Sequence, residues 1–167
     1  GADVLICARD GEALQAARAE LLALAESHTD APTAPRSRVL AERADVSVPD
    51  DVTRVATRAL DELGGCHILV NNAGIYGPKG CTEEVPWSDW LRAIEINLNG
   101  SVLMCRALLP HFKRQGYGKV IQLSGGGATN PLPRLSAYAV SKAAVVRFAE
   151  SLAEELRGSG IDVNAVA

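Results

Sequence analysis

His67-Ile68-Leu69-Val70, followed at once by Asn71-Asn72-Ala73-Gly74, is a short, largely apolar run that stops in a polar, glycine-terminated turn. A run this brief is too short for an independent helix and is predicted to be a buried strand. Upstream, Val52, Val55, Ala56, Ala59, Leu60 and Leu63 recur at helical spacing. Ser47 is the candidate N-cap of that helix, Pro49 lies near its first turn, and Asp50 and Asp51 suit the positive end of its dipole. Gly64-Gly65 supplies the stop. Before it, Arg38 to Ala44 is a predicted strand ending at Asp45-Val46. Ser27 to Ser37 is a polar, proline-containing loop, Gly11 to about Glu26 is a helix rich in Ala, Leu and Glu, and Val4 to Ala8 is an apolar strand. Downstream, Trp87 to about Arg114 is a long helix with an irregularity near Asn97 to Gly100. Lys119 to Leu123 is a strand, Ala137 to about Arg157 a helix and Ile161 to Val166 a last strand.

Strands separated by helices of this length pair in parallel through crossovers, and strands apolar on both faces predict a sheet covered on both sides. The fold class is therefore a doubly wound α/β sheet within one domain over residues 1–167. With 167 residues, 47% hydrophobic and 22% charged, the chain can form one core. A net charge of −3 without a dense Lys/Arg run argues against a nucleic-acid or membrane surface. Cys7, Cys66, Cys81 and Cys105 are widely spaced, without a metal-site pattern, and fit a reduced, cytoplasmic setting. Cys7, Cys66 and Cys105 are expected to act as buried small hydrophobes. The partners indicated are small molecules or other proteins.

In an open parallel sheet, ligands bind beyond the carboxyl ends of the strands, where this chain places Arg9, Asp45, Asn71 to Gly74 and Ser124 to Gly127. Tyr138 and Lys142 stand four residues apart at the start of a predicted helix and so share a face. An ammonium beside a phenol favours the phenolate, which suits Tyr138 to act as general acid or base. The spacing alone arises by chance in many helices, so its context decides.

That context is a set of separated motifs: Asp45-Val46 and Asn71-Asn72-Ala73-Gly74 after strands, Asn97 in the long helix, a serine-containing loop, Tyr138-x-x-x-Lys142, and Val163-Asn164-Ala165-Val166. In order and spacing they resemble the short-chain dehydrogenase/reductase family of classical type, over essentially the whole chain. The resemblance implies a Rossmann-like, NAD(P)-dependent oxidoreductase that passes a hydride between cofactor and an alcohol or carbonyl substrate. It implies that Tyr138 is the proton donor or acceptor and that Lys142 tunes it and binds the nicotinamide ribose. Asn97 would hold a relay water near Lys142. Asp45 would accept from the adenine amino group, Val46 would border the base, and Asn72, Ala73 and Gly74 would line the adenosine side. Asn71 is expected to fix neighbouring strands. An ordinary helix-initiating aspartate at Asp45 and a helix-surface asparagine at Asn97 are the plainer alternatives.

The resemblance is imperfect in three places. The family's catalytic serine falls on Gly125, while Ser124 lies one residue earlier. Ser124 is expected to polarise the carbonyl, with Thr129, Ser136 or a backbone amide as alternatives. The glycine-rich turn that cradles pyrophosphate is not in the chain, nor is the segment that covers substrate, so the domain is expected to be a fragment, incomplete at both ends, with a gap between the strands at Val4 and His67. Ala8 occupies the place where NAD-preferring relatives carry an acid. Arg9 follows and favours NADP over NAD, although Asp10 could pair with Arg9 or reach the ribose itself.

A dehydratase or epimerase using the same Tyr/Lys pair, and a non-catalytic cofactor-binding or scaffold protein, are the competing readings. The resemblance also implies a homo-oligomer, dimer or tetramer, packed through the two long helices. Leu103, Leu108, Phe148 and Leu152 would be buried there or against their own sheet. Ile75 to Pro86 and Thr129 to Leu135 are expected to border the substrate pocket.

Overall fold

The computed structural model describes residues 1–27 and 37–167, so most of the expected Ser27 to Ser37 loop lies outside the described residues. The chain divides into two compact units, Gly1–Gly65 and Cys66–Ala167.

In the first unit, β1 (Val4–Ala8) pairs in parallel with β2 (Val39–Arg43), connected through α1 (Gly11–Ser27), and α2 (Pro49–Leu63) follows. Val52, Val55, Ala56 and Ala59 of α2 are buried, as their helical spacing predicts. The expected cap is corrected. Val48 holds the N-cap position in extended conformation without a side-chain cap, because Ser47 donates its hydroxyl to Asp45 Oδ1 at 2.6 Å. Gly64 ends the helix with a φ of 80°, a left-handed conformation that costs glycine little. Arg54 and Arg58 both reach Glu42, at 2.7 and 2.6 Å, tying α2 to β2. Arg54 first, and then Arg58, holds the Glu42 carboxyl below its ordinary range.

In the second unit, β3 (Ile68–Asn71), β4 (Gly118–Leu123) and β5 (Ile161–Val166) form a parallel sheet in the order β3-β4-β5. Between β3 and β4 run α3 (Trp87–Ile94), a π-helical turn (Glu95–Asn99) and α4 (Gly100–Gln115). A short 3-10 turn (Gly126–Ala128) and α5 (Ser136–Glu155) lie between β4 and β5. Leu69, Val120, Ile161 and Val163 are buried with Met104, Leu108 and Phe112 of α4 and Val145, Ala149 and Leu152 of α5. This alternation follows from the two-residue repeat of a strand.

Cover on both sheet faces does not hold for β3. Ile68 and Val70 are 56% and 53% exposed, since alternation turns them away from the face that buries Leu69 and Asn71. Asn71 also differs from expectation. Its amide reaches Ser101 O at 3.4 Å and Cys105 Sγ at 3.6 Å, so it fixes β3 to α4 rather than to a neighbouring strand. Cys105 is buried and its thiol is pushed up to about 11 by desolvation. Cys7 and Cys66 are only partly buried.

Candidate active site

The carboxyl ends of β3 and β4 and the first turns of α5 converge in the second unit. Asn72, Ala73 and Gly74 leave β3 as an exposed ribbon. Beside it, Lys142 is only 5% exposed and donates from Nζ to the carbonyl of Leu123, the last residue of β4, at 2.6 Å. Nζ lies 5.9 Å from the ring centroid of half-buried Tyr138. Burial pushes the Lys142 pKa down from its ordinary value. The loss of solvating water disfavours the charged ammonium.

Asn97 shows why the helical irregularity matters. The π-turn adds a residue to one helical turn and so changes which side chain faces the sheet end. Asn97 is 1% exposed; its Oδ1 accepts from Ile75 N–H and its Nδ2 donates to Ile75 O, both at 2.8 Å. The side-chain amide thus mimics a neighbouring strand and holds the chain just after Gly74. A β-carbon on Gly74 would lie 3.3 Å from Asn97 Oδ1 and 3.4 Å from Lys142 Nζ, so only a bare residue leaves that space open.

Ser141, quoted in the motif but given no role by sequence reasoning, completes the clamp. It is fully buried, donates to Tyr138 O at 2.8 Å and accepts from Asn97 Nδ2 at 2.9 Å. Ser141→Ala is expected to leave one buried N–H of Asn97 unpaired and to cost about 1–3 kcal/mol of stability. Denaturant unfolding checks this, and a loss below about 0.5 kcal/mol would mean that Asn97 finds another acceptor. The signal available in the sequence was a polar residue on the inward face of α5.

The serine-containing loop places its hydroxyls apart from Tyr138 Oη. Ser124 donates to Lys142 O at 3.4 Å, Thr129 to Gly126 O at 3.5 Å, and Ser136 accepts from Trp90 Nε1 at 3.1 Å. Gly125 is the residue that meets the phenol. A β-carbon there would stand 2.5 Å from Tyr138 Oη, and its φ of 154° is one that side-chain-bearing residues rarely adopt. Tyr76, in the loop after β3, lays its ring 4.9 Å from that of Tyr138 at an interplanar angle of 40°.

In the first unit, Arg9 is exposed just after β1, and its carbonyl accepts from Arg43 Nε at 2.9 Å. Asp10 accepts from Glu12 N–H at 3.0 Å and Ala13 N–H at 3.1 Å, so it caps α1. Asp45 and Val46 are half-buried, and Asp45 Oδ1 accepts from the Ser47 backbone and hydroxyl. Among the described residues no group of His, Cys, Asp and Glu is arranged to hold a metal ion, and no helix is long and apolar enough to cross a membrane.

The family model for short chain dehydrogenase matches residues 1–167. The chain belongs to the short-chain dehydrogenase family. Within that family it is 37% identical over 131 residues to 2-(R)-hydroxypropyl-CoM dehydrogenase of Xanthobacter autotrophicus (strain ATCC BAA-1158 / Py2), covering 77% of this chain and 52% of that protein. The crystal structure of levodione reductase superposes with a TM-score of 0.90 at 30% identity, over 100% of this chain and 61% of the other. A metagenomic short-chain oxidoreductase in complex with NADP gives 0.88 at 31% identity, over 100% of this chain and 71% of that one. The chain thus spans about half the length of the curated relatives it matches. The α/β class expected from the strand and helix order, Rossmann-like by the family resemblance, is the class of these short-chain dehydrogenase structures.

Proposed function

We propose that the protein carrying this chain is a nicotinamide-dependent dehydrogenase or reductase acting on an alcohol or carbonyl substrate, with Tyr138 as general acid or base. The observation that carries this reading is the buried, desolvated Lys142 held beside Tyr138 and next to the exposed Asn72-Ala73-Gly74 ribbon. These residues fit the cofactor. The bare Gly74 leaves room against Lys142 Nζ and Asn97 Oδ1, and an ammonium with three donors spends only one on Leu123.

A bound nicotinamide supplies or accepts the hydride. Tyr138 gives its proton to the substrate oxygen in carbonyl reduction and takes it in alcohol oxidation. Lys142 stabilises the phenolate and holds the ribose, and Asn97 supports a water that returns protons to Lys142. Ser124 turns from its long bond to Lys142 O towards the substrate oxygen, a move favoured because 3.4 Å is near the outer limit of a hydrogen bond. Turnover of NADPH or NADH with a carbonyl panel, run beside Tyr138→Phe, tests the reading; turnover that ignores Tyr138 would refute it.

On the adenosine side we assign Asp45 to the adenine amino group, Val46 to the base, and Asn72, Ala73 and Gly74 to the nucleoside. Arg9 is assigned to a 2′-phosphate, making NADP the preferred cofactor over NAD. Two features of the first unit support that choice: Asp10 is engaged as a helix cap, and a second guanidinium, Arg43, lies against the Arg9 backbone. Arg9→Asp is expected to shift the kcat/KM ratio for NADPH over NADH at least about tenfold towards NADH. An unchanged ratio would remove Arg9 from cofactor choice.

We further place the protein in the cytoplasm, a setting that its four free cysteines suit. We infer a homo-oligomer paired through α4 and α5. Leu108 and Leu152 are buried within the chain, whereas Leu103 and Phe148 are only half-buried and retain apolar surface for such a contact.

A further inference from the structure

The Lys142 ammonium, the bare backbones of Gly125 and Gly127, and the ring of Tyr76 come close to the Tyr138 phenol in the second unit. The ammonium and the glycines offer charge and peptide surface. Tyr76 offers a broad apolar face, and it is 67% exposed. An aromatic ring packed on a neighbour at 4.9 Å is held in orientation by that contact, yet most of this ring's surface has nothing against it. The loop that carries it is itself fixed, because Asn97 binds both backbone polar atoms of Ile75, the preceding residue. Gly80 N–H also donates to Arg134 O at 3.0 Å, closing the loop against the segment before α5.

We propose that Tyr76 is the substrate-selecting wall of this site and that the substrate class it favours is a ketone, or the corresponding secondary alcohol, conjugated to a planar ring. A flat π-system laid on the exposed face of Tyr76 presents its adjacent oxygen beside the Tyr138 hydroxyl. At Gly125 no side chain stands between that oxygen and the phenol, since the position where one would begin is 2.5 Å from Tyr138 Oη. A saturated ring of equal size is puckered and meets Tyr76 over less of its surface, so it gains less. The ring of Tyr76, and not its hydroxyl, makes the selection. Tyr76 is a specificity residue; proton transfer stays with Tyr138. The proposal rests on the oxidoreductase reading above.

The test compares methyl phenyl ketone with methyl cyclohexyl ketone in the full-length protein with its preferred cofactor, using native protein, Tyr76→Phe and Tyr76→Leu. Calorimetric titration of both ketones onto the cofactor-loaded protein runs in parallel. The native protein is expected to prefer the aryl ketone in kcat/KM by about two- to twelvefold, the range that aromatic pairing provides. Tyr76→Phe preserves that ratio, and Tyr76→Leu brings it to about one by raising KM for the aryl ketone with kcat little changed. A native ratio of one or below, a ratio unmoved by Tyr76→Leu, or equal losses for both ketones with a falling kcat would overturn the proposal. So would a native protein that neither binds nor turns over the two compounds. Binding that favours the aryl ketone in a Tyr76-dependent way without any turnover would uphold the wall and count against the oxidoreductase reading. Tyr138-dependent turnover without aryl preference would do the reverse.

Discussion

Tyr138→Phe is expected to lower kcat by about 10²–10⁴-fold while the protein remains folded, since a positioned proton donor contributes on that scale. Phenylalanine keeps the ring that packs against Tyr76 at 4.9 Å and removes only the hydroxyl facing Gly125. Stability should change by less than about 1 kcal/mol, because Tyr138 is half-buried and its hydroxyl is not part of the Asn97–Ser141 clamp. Steady-state kinetics with saturating cofactor, beside a denaturant melt, separates the two effects. Retention of more than a tenth of native kcat would move proton transfer to another group, and a collapse in stability would make Tyr138 a structural residue.

Lys142→Met should lower turnover to a similar degree while leaving the fold as stable as before or slightly more so. Lys142 is 5% exposed, no carboxylate among the described residues pairs with it, and its one hydrogen bond goes to Leu123 O at 2.6 Å. The buried ammonium is a cost to the fold, offset in part by that bond. Methionine fills most of the same channel without charge, so stability at neutral pH is expected to hold or rise by about 1 kcal/mol. The pH dependence follows from the direction of the shift. Desolvation depresses the folded-state pKa below the ordinary 10.5, so the unfolded chain binds the proton more tightly. The cost is fully present below the folded-state value and fades as pH rises from there through 10.5. The stability difference between Lys142→Met and native protein should therefore shrink over that window. A difference that grows with pH, or a neutral-pH loss above about 1 kcal/mol, would show that the ammonium stabilises the fold.

Much of this was legible before any coordinates. Val4–Ala8 begins and ends where its apolar run does, Ile161–Val166 has the bounds expected for the last strand, and α2 stops at the glycine pair. Such boundaries come from burial and backbone preference, both of which act over a few residues. The break in the long helix was legible too, because an asparagine and a glycine there fit poorly in a regular turn; it takes the form of a π-turn at Glu95–Asn99.

The misses share a cause. Ser47 was a plausible cap, but Asp45 two residues earlier captured its hydroxyl, a competition that depends on the path of the turn. Asn71 could have served any adjacent element and found α4. Ser141 gave only the signal of a polar residue on the inward face of α5, and Tyr76 gave none.

The amino-acid sequence by itself was enough for the parallel α/β class, the order of its elements, the family, and the pairing of Tyr138 with Lys142 on one turn of α5. These depend on patterns three or four residues long and on motif spacing. Only the tertiary structure decided that Asn97 clamps Ile75 and Ser141 together, that Ser124 lies on Lys142 O while bare Gly125 faces the phenol, and that Tyr76 covers the ring. Those contacts join residues from 13 to 62 positions apart, and their geometry depends on how the π-turn, the loop after β3 and α5 pack together, which no local preference specifies.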